Sequence, residues 1–136
     1  MKMSLVALVV ALAVLLGALL GIFGADPQKV PITIGLFQVP SGCQVLTFPA
    51  SPEAAPKQDV EWAVAGRCDD IDPANIEVKF VAKDGCSGTN PLDSATLKGK
   101  KFKSKVKKDA AETTYCYGIY NGSTLLEDPD LDIRKR

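Results

Sequence analysis

The residues with the clearest chemistry in this chain are its cysteines, Cys43, Cys68, Cys86 and Cys116. Zinc sites usually draw their thiolates in pairs about two to four residues apart, and no such pair exists here. Widely spaced cysteines in even number read instead as two disulfides, which places the domain in an oxidising compartment. The sequence contains no histidine. That absence removes Ser–His and Cys–His nucleophile pairs and ordinary imidazole acid–base catalysis.

Three charged groupings come next. Lys101, Lys103, Lys105 and Lys107 occupy alternate positions, so a strand would line all four on one face with Phe102, Ser104 and Val106 turned to the core. Such a row guards a sheet edge against pairing with other chains. It is equally a basic patch for an acidic protein or for anionic lipid headgroups. Asp69, Asp70 and Asp72, near Asn75, offer oxygen ligands but lack the Gly and Glu of a calcium-binding EF loop, and they read as a solvated acidic turn. Glu127, Asp128, Asp130 and Asp132 read the same way, or as the patch that meets a neighbour's lysines. Ser104 between two lysines suggests a Ser–Lys pair, but neighbours on a strand face opposite ways and do not converge. Asn121-Gly122-Ser123 matches a glycan sequon, and Asn-Gly is also the favoured dipeptide of a two-residue type I′ hairpin turn.

These groups must be positioned by strands. ITIGLFQV from Ile32 to Val39, bracketed by Pro31 and Pro40, predicts a first strand at a sheet edge, because proline cannot donate to a central ladder. Cys43 to Phe48 predicts a second strand, and PASPEAAPKQD a proline-rich loop or edge crossing. DVEWAVA (Asp59 to Ala65) alternates with Val60, Trp62 and Val64 on one side. NIEVKFVA (Asn75 to Ala82) alternates with Ile76, Val78 and Phe80 inward. KGKKFKSKVKK, TTYCYGIY and short strands around Ser123–Leu126 and Leu131–Ile133 complete the set. Trp62, Phe80, Tyr115 and Tyr117 read as core. Short strands with turn signals between them predict an all-β antiparallel sandwich. Hairpin order brings the start of the second strand near the end of the Trp strand, which favours Cys43–Cys68 and leaves Cys86–Cys116.

The segment before these strands is apolar. Every residue from Leu5 to Phe23 is apolar or Gly, and about 20 such residues cross the hydrocarbon core of a bilayer as a helix. The run is longer than a signal-peptide core and has no A-x-A-like cleavage site, so it reads as a retained single-pass transmembrane helix. Lys2 and the positive-inside rule put the N-terminus in the cytoplasm and the C-terminal domain in the periplasm or outside, on the inner (cytoplasmic) membrane. Ala13, Gly17 and Gly21 share one helix face that suits close packing against another helix. The division is therefore 1–25 transmembrane anchor, 26–31 linker and 32–136 β-sandwich domain.

VEWAV, IEVKF, Asn90-Pro91, Tyr115-x-Tyr117 and the closing stretch from Asp128 to Ile133 resemble exported sandwich domains of the Ig-like/cupredoxin-like kind. The likeness runs from Cys43 to Ile133 and implies a fold rather than an activity. The copper proteins of that fold hold the metal through two His and a Cys, with an axial Met. This chain has no His, and its methionines are Met1 and Met3, so no ligand carries over.

The expectation is a non-catalytic subunit, not an enzyme, without cofactor or metal and without a small-molecule substrate. Its sandwich would bind and stabilise a larger membrane complex, respiratory or photosynthetic, with the lipid bilayer and integral membrane proteins as partners. A net charge of zero argues against nucleic acid. The alternatives are a membrane-tethered ligand-binding or sensing module, and a secreted sandwich protein if the N-terminal segment is cleaved.

Overall fold

The computed structural model describes residues 29–136. The anchor expected over 1–25 and its stripe Ala13, Gly17 and Gly21 lie outside the described residues. Among the described residues no helix is long and apolar enough to cross a membrane.

Ten strands form two sheets. β1 (Lys29–Val39) opens within the stretch read as linker, and β2 (Gly42–Phe48) follows it through a hairpin. The proline-rich crossing holds β3 (Glu53–Ala54) and leads into β4 (Asp59–Arg67). A short 3-10 turn (Pro73–Asn75) precedes β5 (Ile76–Phe80). There follow β6 (Leu97–Lys98), β7 (Lys101–Lys105), β8 (Thr114–Asn121), β9 (Thr124–Glu127) and β10 (Asp130–Ile133). One sheet has the order β2-β1-β4-β7; the other runs β3-β10-β8-β5-β6, with β9 also paired to β8.

Val60, Trp62, Ile76 and Val78 lie inward as the alternation predicts, and Val64 and Phe80 pack against the core partly buried. Ile32, Ile34, Leu36, Val45, Val60 and Trp62 from the first sheet meet Ile76, Val78, Tyr115, Tyr117, Ile119, Leu131 and Ile133 from the second. Trp62 is wholly buried. It stacks on Phe102 at 5.5 Å and meets Tyr117 edge-on at 5.7 Å. Its indole N–H donates to the Tyr117 hydroxyl at 3.3 Å, so the large ring is buried without an orphaned donor. Burial pushes the Tyr117 phenol well above its ordinary range, against the opposing effect of that bond. Tyr115 donates its hydroxyl proton to the Ala111 carbonyl at 3.0 Å and so fastens the start of β8 to the chain just before it.

Three expectations are corrected. The sandwich is not wholly antiparallel: β1 runs parallel to β4, and β10 parallel to β3. Since β2 turns back along one side of β1, the long 49–58 crossing must bring the chain round to the other side, where it arrives running the same way. For the same reason β1 is an inner strand, not an edge. Pro31 is tolerated there because β2 pairing begins only at Thr33, which leaves the residues before it bonded on the β4 side alone. The turn after β8 is Gly122-Ser123, closed by the Asn121–Thr124 pair. Only Gly122 has a positive φ, 62°, which a type II′ turn requires at its first position; a type I′ turn would need two such residues.

Both cross-links are formed. Cys43–Cys68 joins the start of β2 to the residue after β4, and Cys86–Cys116 joins the 81–96 loop to β8. Gly66, at φ 79°, passes so close to β1 that a Cβ there would lie 2.3 Å from the Leu36 carbonyl oxygen.

Candidate functional site

The face of the four-stranded sheet turned away from the core is the surface with most to offer a partner. Its side chains are those skipped by the core alternation, and strand register arranges them in rows. Lys29, Asp59 and Lys105 stand side by side where β1 begins. Pro31, Glu61 and Lys103 form the next row, then Phe48, Thr33, Ala63 and Lys101. Leu46, Gly35 and Ala65 follow, and Gln44, Phe37 and Arg67 close the face. Along the strands the surface thus passes from charged to apolar.

The two carboxylates of the charged rows are each paired, and the four lysines leave an excess of positive charge. Glu61 lies between Lys29 at 3.3 Å and Lys101 at 3.4 Å, and Asp59 is 3.5 Å from Lys105. Partial burial works to raise the Glu61 pKa, but the two ammonium groups outweigh it and hold the carboxyl below its ordinary value. Lys103 has no carboxylate at ion-pair distance among the described residues.

The apolar rows are uncovered. Phe37 is 44% exposed and Phe48 52%. Both rings lean over Gly35, where an added Cβ would meet Phe37 Cε2 at 2.8 Å and Phe48 Cε2 at 3.4 Å. The missing side chain of Gly35 thereby leaves room for both rings to approach the sheet. The other sheet has a smaller counterpart: Tyr120 and Leu125 close over Gly118, and the Lys79 ammonium lies 5.1 Å from the Tyr120 ring centre.

The lysine row is half as expected. Lys101, Lys103 and Lys105 point outward from β7, an edge strand, while Ser104 and Val106 are buried. Lys107 stands beyond the strand, in the loop that follows it. The Ser104 hydroxyl accepts the Ser94 N–H at 2.8 Å, on the opposite face from the neighbouring lysines.

Part of the acidic set is used locally, while Asp130 Oδ1 is buried without a hydrogen-bond partner among the described residues. Asp72 caps the 3-10 turn by accepting the Ala74 N–H at 3.0 Å, and the Asp69 N–H donates to Gln38 Oε1 at 2.9 Å. Asp128 pairs with Lys83; Asp132 accepts from the Thr114 hydroxyl and lies 3.7 Å from Arg134. The Lys83 ammonium holds the Asp128 carboxyl below its ordinary value. Among the described residues no three His, Cys, Asp or Glu side chains gather as metal ligands do. Hollows beside Asp69–Pro73, beside Lys105–Asp109 and beside Glu127–Asp130 are open to solvent rather than enclosed.

The apolar patch escaped the sequence reading, although the signal was present. With Ile32, Ile34 and Leu36 inward, Phe37 had to face out, and Phe48 likewise with Val45 and Thr47 inward.

No family model matches the sequence, and no curated relative matches it. Solved structures similar in fold include the oxidised form of plastocyanin from Dryopteris crassirhizoma. It is 16% identical, with a TM-score of 0.49, covering 77% of this chain and 100% of that one. A purple cupredoxin from Nitrosopumilus maritimus is also 16% identical, with a TM-score of 0.48, covering 77% of this chain and 99% of that one. These likenesses concern fold alone; the two packed sheets themselves agree with the sandwich expected from sequence. A blue-copper donor set does not fit this chain: it has no histidine, and Cys43, Cys68, Cys86 and Cys116 are all disulfide-bonded.

Proposed function

We propose that this protein is a non-catalytic, membrane-tethered subunit whose sandwich domain docks on a larger membrane protein complex and stabilises it. The observation that carries this reading is the outer face of the four-stranded sheet, where Phe37 and Phe48 are open to solvent beside a row of partly paired lysines. Aromatic side chains set in a patch of this kind are typical anchors of protein interfaces. The apolar run from Leu5 to Phe23 supplies the tether and places the partner among integral membrane proteins. The domain would stand on the periplasmic or extracellular side, in keeping with its two disulfides. A ligand-binding role is the weaker reading, because such sites are mostly apolar and enclosed.

The test is to purify the tagged full chain in mild detergent, alongside the double variant Phe37→Ser with Phe48→Ser. Integral membrane proteins should accompany the wild type in fixed ratio and be lost from the variant, while the variant melts as the wild type does. A wild-type chain that runs as a clean monomer would sink the proposal. So would a variant that keeps every partner.

A further inference from the structure

Strand direction gathers several lysines at one end of the sandwich. β1 and β4 run in parallel from Lys29 and Asp59, and antiparallel β7 ends beside them at Lys105. The end at which the chain arrives from its apolar N-terminal run is therefore also the end of β7. Lys57 is there: its N–H donates to the Val106 carbonyl at 2.9 Å, and Lys105 Nζ donates to its carbonyl at 3.2 Å. Lys107 and Lys108 follow in a loop held by Lys107 N–H to Pro91 O and Ala110 N–H to Lys107 O. β10 delivers Arg134 to the same end, its N–H on the Ala54 carbonyl at 2.9 Å.

The hollow at this end is lined by Lys57, Lys105, Lys107 and Lys108 against Asp93 and Asp109, an excess of positive charge. Asp59 faces it from β4, paired with Lys105, and Glu112 and Glu53 are the nearby carboxylates of the second sheet's margin. Lys57 is also the one non-glycine residue at positive φ, 74°, among those described. A side-chain-bearing residue is strained there, and such positions tend to persist where function requires a particular direction of the chain. The opposite end carries Asp69, Asp70 and Asp72 together with Arg67, Lys98 and Lys100.

Only Asp26, Pro27 and Gln28 separate the apolar run from β1. Three residues of any chain reach at most about 10 Å, roughly one Debye length at physiological salt. We infer that the Lys57–Lys105–Lys107–Lys108 end rests on anionic lipid headgroups and sets the domain upright on the bilayer. This rests on the tether reading of the proposed function. Its occupant is lipid because the short connection holds this end at the membrane surface whatever other partner is bound, and the charge is of the attracting sign.

The test uses the full chain reconstituted into phosphatidylcholine vesicles with or without phosphatidylglycerol. Vesicles are floated on a density gradient, then pulsed from outside with a lysine-acylating reagent, and the modified peptides are quantified. The chain should float with both vesicle types. Lys57, Lys105, Lys107 and Lys108 should react about threefold more slowly on the anionic vesicles, Lys98 and Lys100 should be unchanged, and high salt should erase the difference. A chain that fails to float overturns the tether and this inference together. A chain that floats but shows no dependence on lipid charge, or slows uniformly at every lysine, overturns the inference alone. Protection that needs native membranes and is missing from protein-free vesicles would assign this end to an acidic protein, and overturn it as well.

Discussion

The two faces of the four-stranded sheet are made from the same strands and differ in almost everything else. On the inner side Trp62, Phe102, Val60 and Ser104 are packed, hydrogen-bonded and dry. One residue along each strand, Glu61, Lys103, Lys101 and Asp59 face water, with ion pairs longer than 3 Å. The inner face holds the domain together; the outer face decides what it meets. Tight packing converts each lost atom into lost stability, whereas a solvated ion pair is mostly replaced by water when it is broken.

Substitutions can break that contrast, and the largest effect belongs to the inner face. Trp62→Ala should remove about 3–5 kcal/mol of stability, seen as a large fall in the denaturant midpoint, because it empties the centre of the core and strands the Tyr117 hydroxyl. Ser104→Ala deletes little volume but leaves the Ser94 N–H without its acceptor, and should cost about 1–2 kcal/mol in the same measurement. A midpoint equal to wild type would mean that water replaces the hydroxyl.

Acid titration sharpens the outer half of the comparison. The folded-state pKa of Glu61 lies below its ordinary value near 4.5, so its contribution is present above that value and is lost as pH falls through the folded one. Unfolding curves from pH 6 down to pH 3 should therefore be steeper for the wild type than for Glu61→Gln, by a small margin that high salt narrows. The Asp128–Lys83 pair has the same sign on its acid side. Smallest of all, Lys103→Ala should leave the midpoint within about 0.5 kcal/mol of wild type. A larger loss would show that Lys103 does structural work on the edge strand.

Alternation made the inner face legible before any coordinates. Trp62, Val78, Tyr117 and Ile133 fall inward because a strand has a strict period of two. Hairpin order likewise pointed to the Cys43–Cys68 link. What could not be read was long-range. Pro31 suggested an edge, since a sequence does not reveal that β2 pairing stops at Thr33 and leaves the proline bonded on one side. The parallel β1–β4 pair depends on where a proline-rich crossing lands, which no local propensity encodes. Of the candidate site, the outward lysines of β7 were visible. The gathering of Lys57 and Arg134 with Lys105 and Lys107 at one end was not, because they come from three separate segments.

The placement of β1 also has a mechanical meaning. It is the strand joined directly to the N-terminal segment, and it is clamped between β2 and β4. Tension drawn through Lys29 would act along the strand axis and load nine register positions against β4 together, from Lys29–Asp59 to Phe37–Arg67, rather than peeling them one by one. The Cys43–Cys68 link ties the two flanking strands to each other beyond the far end of that grip. A domain hung by such a strand withstands dragging by a moving neighbour far better than one hung by a strand at its margin.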